Sequence, residues 1–107
     1  MSAVEAEVQE GVAGNLRLAG PLTAVTAPKF RSRVREAVRD GQIHMVIDLR
    51  AVTALDAAGI AALLEARRVL EAQPRGTLVL RTNAVVCRAL KDTATITAFA
   101  LWTGPGT

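Results

Sequence analysis

At 107 residues, half of them apolar and drawn mainly from Ala, Val and Leu, the chain is sized for one domain around one core. Its net charge of +3 is mild and its aromatic content is only 3%, so the concentrated basic face and base-stacking platforms of a nucleic-acid binder are missing. No apolar run approaches the ~20 residues of a membrane span, the start Met-Ser-Ala-Val-Glu-Ala-Glu-Val has no basic-then-apolar leader, and the single Cys87 cannot pair internally; a cytoplasmic protein without direct membrane insertion is expected.

Residues 3–9 alternate small apolar with polar side chains, the pattern of a half-buried strand, and Glu10-Gly11 signals a turn. Val12 to Ala19 alternates again, with Leu16 and Leu18 on one side and Asn15 and Arg17 on the other, which predicts a hairpin ended by Gly20-Pro21. A helix follows from Thr26: Thr26 or Ala27 can cap it, and Pro28 suits the first turn, where its missing N–H costs nothing. Phe30, Val34, Ala37 and Val38 draw one buried stripe. Arg31, Arg35 and Arg39 draw another, read as a solvated face rather than a surface for an acidic partner or phosphate. Asp40-Gly41 closes the helix.

Met45 to Leu49 is a nearly continuous apolar run, predicting a central strand buried on both faces, with Asp48 inside it. His44 at its mouth has no second His or Cys nearby and is a poor metal ligand. Asp56 can cap the next helix and oppose its dipole. Leu63, Ala66 and Leu70 mark that helix's core stripe, with Ile60 and Val69 at the margins, while Ala57, Ala61, Leu64, Arg68 and Glu71 stack along the other side. Leu64 is out of place on a polar-flanked face; it either borders the core or anchors a partner. Pro74-Arg75-Gly76 is a turn, and Thr77–Arg81 a further buried strand, so strand, helix and strand form a parallel βαβ unit. Asn83 can cap a short helix from Ala84 to about Leu90, carrying Cys87 as a buried, inert thiol. Thr95 to Trp102 reads as a last strand or an extended tail, and about 103–107 as disordered.

The residues also resemble a known family. Gly20-Pro21-Leu22-Thr23, then Val46-Ile47-Asp48-Leu49-Arg50-Ala51-Val52-Thr53-Ala54-Leu55-Asp56, then Asp56-Ala57-Ala58-Gly59-Ile60 and the pair Leu63-Leu64 resemble the motifs of the STAS domain (sulfate transporter and anti-sigma factor antagonist) over roughly residues 3–101. The resemblance implies an α/β fold: a mixed four- to five-stranded sheet with helices packed mainly on one face, formed by residues 1–107 as a single domain. It also implies a non-enzymatic interaction module that binds an anti-sigma factor, itself a serine kinase, through the start of the second helix. Partner-binding residues would be Asp56, Ala57, Ala58, Gly59, Ala61, Leu64, Arg68 and Thr23. Family antagonists are released when the first Ser of Asp-Ser-Ser-Gly is phosphorylated; here that position is Ala57, the second Ser is Ala58, and Thr23 replaces an Asp, so a switch at the usual place is not expected. Thr53 is the nearest upstream hydroxyl.

Two other roles fit the same resemblance: an accessory subunit resting on the ATPase of an ABC-type lipid-transport complex, and a scaffold subunit of a stressosome-like particle. STAS domains commonly end in a further amphipathic helix, which the ending Trp102-Thr103-Gly104-Pro105-Gly106-Thr107 cannot supply; an apolar patch near Phe99, Leu101 and Trp102, and with it a homodimer, would then be open to the chain. Neither a Ser/His/Asp or Cys/His arrangement nor a phosphate-binding glycine loop is present, and Asp48 and Asp56 are better explained as a strand residue and a cap, so neither an enzyme nor a cofactor or metal is expected.

Overall fold

The computed structural model describes residues 7–10 and 15–101. Five strands form one sheet in chain order: β1 (Glu7–Glu10), β2 (Asn15–Leu22), β3 (His44–Leu55), β4 (Thr77–Arg81) and β5 (Ala100–Leu101). The β1–β2 pair is antiparallel, as a hairpin requires, and β2 to β5 run parallel. Helices α1 (Ala27–Arg39), α2 (Ala57–Glu71) and α3 (Ala84–Asp92) supply the crossovers that parallel neighbours need.

Alternation decides which face the helices cover. Leu16, Leu18 and Leu22 of β2, Met45, Ile47 and Leu49 of β3, and Leu78 and Leu80 of β4 are all buried, and they share one core with Phe30, Val34 and Ala37 of α1, Leu63, Ala66 and Leu70 of α2, and Val86 and Leu90 of α3. The intervening Arg17, Val46, Asp48, Val79 and Arg81 point to the opposite face, which no helix among the described residues covers and where none of them is fully buried. The expectation that Met45–Leu49 is buried on both faces is therefore corrected, and the buried strand Thr77–Arg81 is buried on one face only. A nearly continuous apolar run hides a one-sided strand when some of its outward positions, here Val46 and Val79, are Val.

Three boundaries also differ from expectation. Gly20-Pro21 does not end β2. The strand passes through both residues to Leu22, with the partner on β3 stepping from Val52 to Ala54, so the proline's missing N–H falls at an irregularity in the ladder. Gly20 there has φ of +91°, a conformation open to glycine. Strand β3 continues well past Leu49 to Leu55, and α3 runs two residues beyond Leu90. The segment after α3 forms a short 3₁₀ turn, Ile96–Ala98, then the edge strand β5. Phe99 between them is 8% exposed and belongs to the core, with Leu101 packed against it, so neither lies on the open apolar patch foreseen there. Trp102 and the tail lie outside the described residues, as do the first part of the predicted N-terminal strand and the Gly11 turn.

The arginine stripe on α1 is also more tightly held than a solvated face. Arg31 Nε donates to Glu65 Oε1 at 3.0 Å and Arg35 Nη2 to Glu65 Oε2 at 2.8 Å, so one α2 carboxylate clips both guanidiniums. These pairs are part-exposed and fix the α1–α2 pairing more than they stabilise it. Arg39 stays exposed in the last turn, and Gly41, at φ of +90°, donates its N–H to the Val38 carbonyl to close the helix.

Candidate docking face at the mouth of α2

The start of α2 is held by one carboxylate used twice. Asp56 is extended and sits at the N-cap; its Oδ1 accepts from the Gly59 N–H at 2.8 Å, and its Oδ2 accepts from the Ala24 N–H at 3.2 Å. The first bond satisfies one of the donors that every helix leaves open at its start. The second ties α2 to the loop between β2 and α1. That loop is itself rigid: Thr23 N donates to Thr26 Oγ1, Val25 N donates to Thr23 Oγ1, and the Thr26 hydroxyl donates to the Pro21 carbonyl. Thr26 therefore occupies the α1 N-cap position with its side chain turned inward and no capping bond; the Thr23 carbonyl accepts from Thr26 N and Ala27 N instead.

Gly59 explains why the mouth is so bare. Its Cα faces the Leu22 carbonyl, and a Cβ there would collide with that oxygen and with Leu55 Cδ1. The helix thus lies backbone to backbone on the end of β2. In front of it, Ala57 and Ala61 are exposed, Ala58 is half-buried and Gly59 is buried. Arg68 is exposed on the same stripe, about 16 Å further along the axis at 1.5 Å per residue. Leu64 resolves to the core's border: it is half-buried and packed against the core cluster. Thr23 is half-buried at the loop, next to Leu22, whose carbonyl also receives the Asp56 N–H. The structure therefore gathers Thr23, Asp56, Ala57, Ala58 and Gly59 at one mouth and leaves Leu64 and Arg68 on its flank.

A residue that sequence reasoning passed over is Val25, which is 72% exposed on the rigid loop beside Asp56. Its signal was available: a large aliphatic side chain in a Thr-Ala-Val-Thr turn has no core to enter. Val85, 46% exposed in the first turn of α3, is similar. Cys87 is half-buried rather than buried, with its sulfur 3.1 Å from the Thr82 hydroxyl. Asp48 also lies differently from expectation. It is on the uncovered face, bonded to Arg50, because β3 is covered on one side only. No group of three metal-ligating side chains occurs among the described residues, and no helix among them is long and apolar enough to cross a membrane.

The family model of the STAS domain matches residues 3–100. The chain belongs to the STAS domain family. Its fold is that of three solved structures: an anti-sigma factor antagonist from Mycobacterium paratuberculosis (22% identity, 94% of this chain and 86% of that one, TM-score 0.74); the anti-sigma factor antagonist SpoIIAA in its unphosphorylated form (15% identity, 92% and 88%, TM-score 0.69); and a protein of Thermotoga maritima described as an anti-sigma factor antagonist (15% identity, 94% and 87%, TM-score 0.75). At these identities the likeness shows the fold. Among curated proteins, none matches the sequence.

Proposed function

We propose that this STAS domain is a non-enzymatic docking module of the anti-sigma factor antagonist kind, holding an anti-sigma factor against the mouth of α2 without a phosphorylation switch at that mouth. The observation that carries the reading is the exposed pair Ala57 and Ala61 in front of a helix laid backbone to backbone on Leu22. Side chains this small let a partner's backbone approach closely, and the Asp56 bonds keep the surface from rearranging, so little ordering entropy is lost on binding. The solved antagonists of the same fold support the class of partner. A cytoplasmic location follows from that partner.

No side chain from Asp56 to Gly59 carries a hydroxyl, so the first turn of α2 itself offers no phosphoryl acceptor of the serine kind; the Thr23 hydroxyl across the mouth accepts from the Val25 N–H. In switchable members a phosphate there would add about −1.5 to −2 charges to a tightly packed contact and separate the pair. Here occupancy is set by the two proteins' concentrations and a fixed contact affinity alone.

The test is a titration of a purified anti-sigma serine kinase into the chain, with and without ATP. A stoichiometric complex that survives ATP is expected, and Ala57→Ser should convert it into one that ATP dissolves, with phosphate mapped to the introduced serine. Ala61→Arg should abolish the complex in either case. Assembly only with an ABC-type ATPase, or stoichiometric labelling of the unaltered chain with release, would sink the proposal.

A further inference from the structure

A smooth seat lets a partner come close but does little to hold it. Ala57 and Ala61 are exposed at the α2 mouth with one methyl group each, Ala58 is half-buried, and Gly59 is buried without a side chain. Apolar association grows with the area taken out of water, so these four residues supply little of the driving force. The aromatic side chains that most often anchor an interface are not on offer either: the described residues hold neither Tyr nor Trp, and Phe30 and Phe99 are buried. Leu64 on the flank has already packed part of its area against the core. Two large apolar side chains stand exposed among the described residues, Val25 at 72% and Val85 at 46%, and Val25 is the one at this mouth.

The cap itself ties Val25 to α2. Asp56 accepts from the Gly59 N–H through Oδ1 and from the Ala24 N–H through Oδ2. Ala57, which follows Asp56, and Val25, which follows Ala24, therefore flank one shared carboxylate. The Val25 N–H is donated to Thr23 Oγ1 at 3.3 Å, and on the other side the Thr26 hydroxyl donates to the Pro21 carbonyl at 3.0 Å. The backbone under Val25 is thus fixed from both directions, while its side chain takes no part in the core. A branched side chain also has few rotamers to lose, so seating it in a complementary pocket costs little ordering. Exposed turns are commonly built from Gly, Asn, Asp or Ser, and a rigidly held aliphatic in their place is suited to a partner rather than to water. We infer that Val25 is the apolar anchor of the docking face, entering a hydrophobic pocket of the anti-sigma factor while Ala57 and Ala61 seat that protein's backbone. Val25 has this role only where an anti-sigma factor docks at α2, as proposed above, and it sets the recognition there as apolar.

The experiment is surface-plasmon-resonance kinetics with the purified anti-sigma serine kinase and the full chain, taken as the parent and as single variants. Val25→Ala should weaken the complex by about tenfold, the worth of two methyl groups returned to water, and almost wholly through faster dissociation. Val25→Thr keeps the branching and exchanges one methyl for a hydroxyl, and should weaken it by about fivefold or more. Urea midpoints of both variants should match the parent, because an exposed side chain contributes little to folding. Val85→Ala makes the same truncation at the start of α3 and should leave the affinity within about twofold. Unchanged affinity in Val25→Ala, an equal loss in Val85→Ala, or a loss accompanied by a lowered urea midpoint would each overturn the anchor. Ala61→Arg separates the two readings. If it abolishes binding and Val25→Ala does not weaken it, the anchor fails and the docking face stands; if the parent itself does not bind, the docking face fails and the anchor with it.

Discussion

Helices α2 and α3 begin with the same device and are tied to the strands behind them with opposite polarity. Asp56 Oδ1 accepts from the N–H three residues on at 2.8 Å, and Asn83 Oδ1 does the same with Val86 at 2.8 Å. The other atom of each side chain reaches a neighbouring segment, but with opposite polarity. Asp56 Oδ2 accepts from the Ala24 N–H, whereas Asn83 Nδ2 donates to the carbonyls of Arg50 and Val52 at 2.9 and 2.8 Å. The reason lies in the ladder. Pairing of β4 with β3 ends at Arg81 opposite Asp48, so the β3 carbonyls beyond it need another donor, and an amide can supply two where a carboxylate supplies none. The third position differs as well. Val86 is fully buried and fills space with a side chain, while Gly59 is buried because nothing but backbone fits against Leu22. The same kind of cap thus yields one helix mouth filled by a buried side chain and one set backbone to backbone against the end of β2, and the second makes the bare surface proposed for docking.

The sharpest way to break this contrast is at the third position. Gly59→Ala places a methyl against the Leu22 carbonyl and should cost about 3 kcal/mol, read as a lowered midpoint in urea at unchanged slope. Because the helix must lift to relieve the clash, binding at the α2 mouth should fall with it. A loss under about 0.5 kcal/mol would show that α2 is not seated on backbone. The caps come next. Asn83→Asp keeps the bond to Val86 but turns an acceptor towards two carbonyls, and a loss of about 2 kcal/mol is expected. Asp56→Asn keeps the bond to Gly59 and gives up the charge at the helix start and an acceptor for Ala24, for about 1 kcal/mol. Equal losses for the two exchanges would remove the polarity argument.

Both caps were readable in the sequence, since Asp56 and Asn83 each precede an apolar-periodic run, and so were the buried stripes of α1 and α2 and the parallel crossover. What the two mouths face was not readable, because it depends on where β2 ends for α2 and on where the β3–β4 ladder ends for α3. Gly20-Pro21 looks like a stop, yet the strand absorbs it in an irregular step and delivers the Leu22 carbonyl to Gly59. The uncovered face was hidden for a similar reason. Val46 and Val79 are apolar enough to pass for core, so Asp48 read as a buried strand residue rather than as half of a surface pair with Arg50. Among the candidate site residues, those within four positions of Asp56 come together because a cap is a local device; Leu64 and Arg68 depend on how far α2 runs along the core edge, which no local pattern sets.

The smallest expected effect supplies a control for the Gly59→Ala loss, because an ion pair titrates and a steric clash does not. Asp48 lies away from the mouth of α2, and the Arg50 guanidinium lowers its carboxyl relative to the unfolded chain. A carboxyl whose folded value is lower stabilises fully at pH above its unfolded value of about 3.9, and that contribution is lost as pH falls through the folded value. Asp48→Asn should therefore be slightly less stable than the parent near neutrality, with the gap closing on acidification. The Gly59→Ala deficit is steric and should stay constant over the same range. Thermal melts of the three proteins from neutral to acid pH give the comparison directly. If the Asp48→Asn gap persists unchanged in acid, its cost is packing on the uncovered face, and the ion pair with Arg50 adds nothing to the fold.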